Sequence, residues 1–201
     1  SGYSVVGVDA DNYALTQPSF TANITQRPLT IGGALVVAAS RTYDRGVTAS
    51  ITDASQLLLQ NVPAPDANNP SRVALTGLSA AFVDKNVGTA KPVSLTAASL
   101  TGTTAANYTL TTAGAPTTTA DITRRSVTIT ITPSGKTYDG TDTASVTYQD
   151  TRLSSDSFTV SGTATFSDKN VGVSKTVTAT GITLSGTDAG NYTPNSTATN
   201  T

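Results

Sequence analysis

Alternating β-branched residues, frequent turn residues and an internal repeat together predict an all-β fold: tandem immunoglobulin-like antiparallel β-sandwich repeats arranged as an elongated rod. Val127, Ile129 and Ile131 alternate with threonines, and this period of two is typical of a strand with one buried face. Threonine is β-branched, so it gives the solvent face strand propensity without adding charge. Glycines such as Gly162 and Gly186 punctuate the sequence as turns would. Many short strands separated by turns favour a sandwich.

The sequence repeats itself, and this self-similarity is its most informative feature. Three short motifs occur in the same order in both parts of the chain: Thr42-Tyr43-Asp44 with Thr137-Tyr138-Asp139, Asp84-Lys85-Asn86-Val87-Gly88 with Asp168-Lys169-Asn170-Val171-Gly172, and Asn107-Tyr108 with Asn191-Tyr192. A further Asn-Tyr pair stands at Asn12-Tyr13. The spacing from the second motif to the third is 23 residues in both copies, which leaves no room for an insertion. We interpret these positions as structural motif residues of a repeated domain.

The motif spacing divides the chain into three parts. A period of 84–95 residues fits a free-standing β-domain better than a solenoid repeat of about 20–45 residues. We therefore interpret residues 1–28 as the C-terminal strands of a preceding incomplete repeat, 29–125 as a complete repeat, and 126–201 as a second repeat that lacks its closing strand. The first copy has 11 extra residues within 54–72, and three prolines there predict a surface loop.

The connections between the repeats also carry predictions. Residues 120–127 contain neither Gly nor Pro, so the closing strand of one repeat should run almost directly into the opening strand of the next. A sandwich without its closing strand exposes an edge that accepts another strand. The expected partners are therefore adjacent repeats of the same polypeptide, or neighbouring copies in a fibre.

The composition excludes several classes of function. The chain has no His or Cys, and all 13 acidic residues are Asp, so zinc sites, Ser-His-Asp or Cys-His catalysis and disulfides have no residues to form them. A net charge of −1 with 12 scattered Lys and Arg gives no electrostatic basis for binding nucleic acid. No apolar run approaches the ~20 residues that a membrane span requires. We expect no enzymatic activity, no cofactor, no nucleic-acid partner and no membrane insertion.

Several acidic residues are candidate sites of chemistry. Calcium prefers clustered carboxylate oxygens, and the weak candidates are Asp9, Asp11, Asp139 and Asp142. Asp139 and Asp142 are also the nearest carboxylate pair for a glycosidase, although acids in a turn are normally solvated. Lys136 and Asn195 are conceivable partners for an internal isopeptide bond. The favoured interpretation of each is structural.

The two longer motifs have predicted structural roles. The Tyr of Thr-Tyr-Asp, at Tyr43 and Tyr138, is expected to be a buried ring whose hydroxyl finds a backbone partner. The Asp-Lys-Asn-Val-Gly segment is expected to be a hairpin turn with Asn or Gly at positive φ. The alternative for that segment is a Lys-Asp ion pair or a docking contact.

Three ordered motifs cover nearly the whole chain and resemble the YDG repeat, which is kin to the mostly-bacterial immunoglobulin-like repeats of large secreted adhesins of the filamentous-haemagglutinin type. In the second copy they stand at residues 136–141, 166–172 and 184–192. The first copy departs from the pattern at Arg45, where the motif has Gly, and at Thr104 and Ala106, where the second copy has Asp188 and Gly190. The resemblance implies tandem domains in an extracellular or bacterial cell-surface filament.

The function expected from this resemblance is a stalk. The chain would be a spacer segment of a filamentous adhesin that projects an adhesive tip and supports cell adhesion or a biofilm matrix. The alternative is that the repeats themselves bind glycan, matrix or neighbouring filaments, or polymerise by strand exchange. With only 11 Phe and Tyr, most at motif positions, an exposed aromatic binding surface is not expected.

Overall fold

The computed structural model describes residues 2–200 and contains strands and short 3-10 turns, with no α-helix in that range, so the all-β prediction is confirmed. We call residues 27–123 the first half and 125–200 the second half. The strands of the first half are β1 (Arg27–Gly33), β2 (Val36–Val37), β3 (Ser40–Thr42), β4 (Thr48–Ala49), β5 (Ile51–Asp53), β6 (Leu57–Gln60), β7 (Ala74–Phe82), β8 (Gly88–Thr101), β9 (Tyr108–Leu110) and β10 (Thr118–Thr123). Those of the second half are β11 (Arg125–Val127), β12 (Ile129–Ser134), β13 (Ser145–Asp150), β14 (Thr159–Phe166), β15 (Val177–Ser185), β16 (Tyr192–Pro194) and β17 (Thr197–Asn200).

The first half contains a five-stranded sheet in the order β3-β10-β8-β7-β4 and a three-stranded sheet in the order β6-β1-β9. Strands β2 and β5 form a separate antiparallel pair. Most pairs are antiparallel, whereas β3 with β10 and β1 with β9 are parallel. In both parallel pairs a strand from the start of the half lies beside a strand from its end, so the two ends of the half are held together.

The second half contains a three-stranded sheet, β14-β15-β17, and the pairs β12-β13 and β11-β16. Its registers match those of the first half at the motif positions. Val177 lies opposite Phe166 as Val93 lies opposite Phe82. The parallel pair β11-β16 corresponds to β1-β9, with an arginine opposite a motif tyrosine in each.

The alternation of apolar residues and threonine places one face of each strand in the core. Val127, Ile129 and Ile131 are all buried, as their period of two predicted. A continuous cluster of buried apolar side chains runs through both halves and includes Ile122 at the end of β10 and Val127 in β11. The core therefore does not stop at the boundary between the halves.

The connection between the halves is short, as predicted. Strand β10 ends at Thr123 and β11 begins at Arg125, so a single residue separates them. The Arg124 guanidinium donates through Nε to the Gly190 carbonyl at 3.0 Å, which fixes the connection against the second half.

Two expectations about local structure are corrected, and one stays a prediction. The strands expected within residues 1–28 are not formed over residues 2–26, which hold one 3-10 turn and whose large apolar side chains are exposed. The second half was expected to lack its closing strand, and this expectation is not overturned: Thr197–Asn200 pairs with Val177–Thr180 of β15, so only Asn200 reaches the register that Thr118 of β10 holds opposite Val93. The insertion at 54–72 is more than a surface loop, since it forms β6 and buries Leu57 and Asp66.

Matched core positions should contribute equally to stability. Val93→Ala and Val177→Ala each remove two methyl groups from a site that is almost completely buried, so each should lower the free energy of unfolding by about 2 kcal/mol. Urea unfolding followed by circular dichroism measures this change. The exposed Val83→Ala is the control and should change stability by less than about 0.5 kcal/mol. Costs that differ several-fold between Val93 and Val177 would contradict the equivalence of the two positions.

Candidate functional site: the joint between the two halves

The motif residues of the two halves meet in a single contact region, which we call the joint. It consists of Tyr43, Arg45, Lys85, Asn86 and Val87 of the first half and Asp156, Asp188, Asn191 and Tyr192 of the second half. The two motifs of the first half therefore face the third motif of the second half.

The Asp84–Gly88 turn presents its side chains to the joint because Asp84 fixes its shape. Asp84 Oδ1 accepts from the Asn86 amide at 2.7 Å and from the Lys91 ammonium at 2.8 Å. Lys91 is the main reason that the pKa of Asp84 is lowered. The second copy is built in the same way, with Asp168 accepting from the Asn170 amide at 2.8 Å and from Lys175.

The hairpin-turn prediction for this segment is confirmed, but the expected backbone conformation is wrong. The turn joins the paired strands β7 and β8, and neither Asn86 nor Gly88 has positive φ. The left-handed residue is instead Ala90, near the start of β8, with φ of 48°. In the second copy it moves to Ser174, with φ of 50°.

An ion pair and a set of amide contacts tie this turn to the second half. Lys85 Nζ lies 3.2 Å from Asp188 Oδ1, and this contact is the main cause of the raised pKa of Lys85. The pKa of Asp188 is lowered, first by the Ser157 amide that donates to its other oxygen and then by Lys85. The docking contact that the sequence left as an alternative is therefore present at Lys85.

The Asn191 side chain hydrogen-bonds to the backbone and to a side chain of the same turn. Its Oδ1 accepts from the Val87 amide at 2.9 Å, and its Nδ2 donates to Asn86 Oδ1 at 3.3 Å. Asn191 is only 4% exposed, so these bonds satisfy a buried amide. The 3-10 turn Ala189–Asn191 presents this side chain, and the equivalent turns precede Tyr13 and Tyr108.

Aromatic rings fill the centre of the joint. The Tyr43 ring is completely buried and meets Tyr192 edge-on, with ring centroids 5.6 Å apart, while Phe158 packs on the other side of Tyr192. Burial raises the pKa of Tyr43. The buried ring is confirmed, but the expected backbone partner is wrong: in residues 2–200 the Tyr43 hydroxyl forms no hydrogen bond of good geometry, and the groups that influence its pKa are the side chains of Lys85 and Asp156.

Asp156 is the most constrained group in the joint because its side chain has no solvent exposure. Its Oδ2 accepts from the Tyr192 hydroxyl at 2.6 Å, and burial together with this bond raises the pKa of Tyr192 to about 12. Its Oδ1 lies 3.0 Å from Arg45 Nε and 3.8 Å from Lys85 Nζ. The Arg45 contact lacks hydrogen-bond geometry, so the pairing is ionic. Both cations come from the first half.

The corresponding carboxylate of the first half, Asp66, is neutralised within its own half. The Tyr108 hydroxyl donates to it at 2.7 Å, Thr104 donates at 2.7 Å, and the Arg72 guanidinium pairs with it. These three groups, Tyr108 first, lower the pKa of Asp66 to about 2. The two halves therefore share the Asp-Tyr pair but obtain the counter-charge from different places.

Arg45 holds an unusual backbone conformation to make its contact. Its φ is 73°, a region that favours glycine, and the second copy has Gly140 there with φ of 83°. An arginine in this conformation is retained at some cost in backbone strain. The sequence marked Arg45 only as a departure from the motif. Asp66 and Asp156 were missed because they lie in the stretch of variable length between the first and second motifs, where no repeated letters align them.

The same motifs are exposed in the second copy and at the far end of the first. Tyr138 is 59% exposed, which corrects the prediction that both motif tyrosines are buried. Lys169 has no ion-pair partner in residues 2–200, and Asn107 is exposed whereas Asn191 is buried. These motif positions are buried only where another half packs against them. In the described chain this is the case for Tyr43 and Asn191 in the joint, and not for Tyr138 and Asn107.

The other candidate sites do not assemble. Asp139 accepts from the Lys136 ammonium and the Thr141 amide, both at 2.9 Å, and Lys136 lowers its pKa to about 2. This carboxylate is thus neutralised, which argues against calcium and against an acid catalyst paired with Asp142. The isopeptide bond between Lys136 and Asn195 is not supported either. The Asn195 side chain bonds the backbone of Ile129, and the Lys136 ammonium bonds Asp139 and Thr141.

Residues 2–200 contain neither a metal-binding cluster nor a membrane-spanning helix. No group of three acidic side chains has an arrangement that would hold a metal ion, and Asp9 and Asp11 lie on an exposed turn. None of the helical turns has the length and hydropathy needed to cross a bilayer.

Comparison with known families gives one result. The model of the YDG domain matches residues 25–119 and again residues 123–200. No curated protein and no solved structure matches the chain. The assignment to the mostly-bacterial immunoglobulin-like repeats of secreted adhesins is corrected by this result, because the matched family is the YDG domain and no comparison returns an adhesin.

Replacing the two motif tyrosines should have opposite consequences. Tyr43→Ala empties the centre of the joint and should lower the free energy of unfolding by about 3–5 kcal/mol, whereas Tyr138→Ala should change it by less than about 0.5 kcal/mol. Tyr43→Phe should cost much less than Tyr43→Ala, because it keeps the buried ring and the lost hydroxyl makes no hydrogen bond of good geometry. Denaturant unfolding measures all three. Equal costs at Tyr43 and Tyr138 would show that the joint does not exist in solution.

Acid should remove the contribution of Asp66. Its pKa is about 2 in the folded chain against an ordinary value of 3.8, so the unfolded chain binds more protons between these values and stability rises with pH there. The contribution is complete above about pH 4 and is lost as the pH falls towards 2. Asp66→Asn should therefore be less stable than the wild type at pH 6, with a difference that shrinks between pH 4 and 2. A difference that stays constant over that range, measured by urea unfolding, would contradict the assignment.

Proposed function

The chain belongs to the YDG domain family, and on that premise we propose that it is a structural spacer in which tandem immunoglobulin-like β-units are coupled end to end as a stiff, elongated rod. The observation that carries the proposal is the buried carboxylate of Asp156, whose counter-charges come from the neighbouring half.

The energetics of Asp156 support a fixed joint. A buried carboxylate without a counter-charge costs several kcal/mol, and removing one partner of a buried ion pair typically costs about 3–5 kcal/mol. If the halves separated, Asp156 would lose Arg45 and Lys85 together and Asn191 would lose its partners in the turn. Separation of the halves is thereby opposed by charge and by hydrogen bonding.

The short connection between the halves and their continuous apolar core both favour a stiff joint. A single residue between β10 and β11 leaves almost no chain with which to form a hinge. Contacts between domains of one chain are commonly polar and permit relative motion. In this chain the buried apolar cluster continues from one half to the other, and Tyr43 is completely buried between them.

A nucleic-acid partner has less support. A YDG domain is known from SRA-type DNA-binding proteins. Binding to DNA phosphates depends on free Lys and Arg side chains. In residues 2–200, eight of the twelve Lys and Arg side chains are ion-paired with Asp: Arg41, Arg45, Arg72, Lys85, Lys91, Lys136, Arg152 and Lys175. The remaining cations form no basic stripe in the sequence.

A spacer of this kind would act at the cell surface and would carry out no catalytic step. Stiff coupling of units is useful where a distance from a surface has to be spanned, so we propose a location outside the cell, at its surface. The buried carboxylates of Asp66 and Asp156 are each committed to a tyrosine hydroxyl and a cation, which suits a structural role and no acid-base step.

Small-angle scattering of the whole chain tests the spacer. The wild type should give an elongated particle with one narrow distribution of dimensions. Arg45→Gly with Lys85→Ala removes both counter-charges of Asp156 and should lower the free energy of unfolding by about 3 kcal/mol and broaden that distribution. Glycine is the residue of the second copy at this position, so the exchange introduces no new strain.

Lys169→Ala is the matched control, since it removes the same motif lysine where it has no partner, and it should leave both scattering and stability unchanged. Circular dichroism establishes that each variant keeps its strands. A wild-type chain whose scattering is already as broad as that of the double variant would refute the stiff spacer.

A further inference from the structure

The second half carries an uncovered copy of the surface that the first half buries in the joint. We propose that this surface is a docking site for a further YDG domain that presents Asp and Asn at the positions of Asp188 and Asn191. We call it the open end and define it by Tyr138, the Asp168–Gly172 turn and Asn200. The inference rests on the proposed function, because it takes the observed joint as the template.

The open end is built like its buried counterpart. Asp168 closes its turn through Asn170 and Lys175 as Asp84 does through Asn86 and Lys91. The turn therefore offers the same three groups in the same order: the Lys169 ammonium, the Asn170 amide and the Val171 backbone N–H. Their equivalents in the first half contact Asp188 and Asn191.

What differs between the two surfaces is burial. Tyr43 is 0% exposed and Tyr138 is 59% exposed, while Val87 is half-buried and Val171 is 90% exposed. Val173 is exposed to the same degree as Val171. Large apolar side chains that lie uncovered beside each other mark an interaction surface.

The uncovered side chains line a groove with a volume of about 580 Å³. Tyr138, Phe166 and Val171 give its lining an apolar part, and Lys169 and Lys175 also line it. Because Lys175 forms an ion pair with Asp168, the ammonium group available to pair with a carboxylate of the occupant is that of Lys169. The groove therefore fits an occupant with an apolar contact and one carboxylate, as the second half offers to the first.

Charge selects between the two kinds of face that a YDG domain can present. The second half presents Asp188 and Asn191, whereas the first half presents Thr104 and Asn107 at the equivalent positions. A lysine facing Thr104 gains no counter-charge, so the first half of another copy is a poor occupant. A domain with Asp at this position satisfies Lys169.

The new joint should be weaker than the observed one. The open end has Gly140 where the first half has Arg45, so only Lys169 would face the occupant's acidic pair. Because Arg45 adopts φ of 73° and Gly140 adopts 83°, an arginine can replace this glycine in the same conformation. Gly140→Arg should therefore strengthen docking.

A fused protein with a second copy of the second half tests the proposal, and the register of β17 fixes where the two copies are joined. Asn200 lies opposite Val177 as Thr118 lies opposite Val93, so residues 1–200 followed by a second copy of residues 119–200 continue the closing strand in register. The unfused chain is the reference. Amide hydrogen exchange, measured by NMR at residues 138 and 169–171, reports whether the open end becomes covered.

In the fused protein, exchange at the Val171 amide should slow by at least about tenfold, because the equivalent Val87 amide donates to Asn191. Gly140→Arg should slow it further. The matched control carries Asp188→Thr and Asn191→Ala in the appended copy only, and it should exchange as fast as the unfused chain. Fast exchange at Val171 in the fused protein, or protection that survives in the control, would overturn the proposal.

The same measurement separates this inference from the proposed function. If the Val87 amide is protected and the Val171 amide of the fused protein is not, the spacer stands and the open end is not a docking site. If neither is protected, the joint itself is wrong. Concentration-dependent protection of Val171 in the unfused chain would mean that Thr104 and Asn107 of another copy fill the groove, which overturns the requirement for Asp.

Discussion

The buried carboxylate of Asp156 is the constraint on which the arrangement of the two halves depends. It has no solvent exposure, it accepts the Tyr192 hydroxyl, and its nearest cations, Arg45 and Lys85, belong to the other half. A charge in that position needs a counter-charge, because the interior solvates it poorly. The fold of the second half is therefore electrostatically complete only when the first half is docked against it.

Equivalent residues have different roles because their neighbours differ. Asp66 obtains its cation from Arg72 in its own half, so the same Asp-Tyr pair is self-sufficient there. Lys85 and Lys169 occupy one motif position, yet the first forms an ion pair across the joint and the second has none in the described chain. In this protein a motif supplies a shape, and the next unit decides what that shape contacts.

The sequence predicted the local structure well where short-range forces decide it. The Thr alternation around Ile129 gave a strand with one buried face, and the repeated Asp at Asp84 and Asp168 gave the same closed turn twice. It predicted less well where distant residues decide. Residues 2–26 have an Asn-Tyr turn without the strands that were expected beside it.

The sequence by itself determined the strand periodicity, the repeat and the shape of each motif, because these follow from side chains within a few residues of each other. The tertiary structure alone decided that Tyr43 is buried and Tyr138 is exposed, and that Lys85 faces Asp188 from 103 residues away. Identical motif letters carry no information about which copy is covered. That outcome depends on which charges and rings the opposing surface brings within reach.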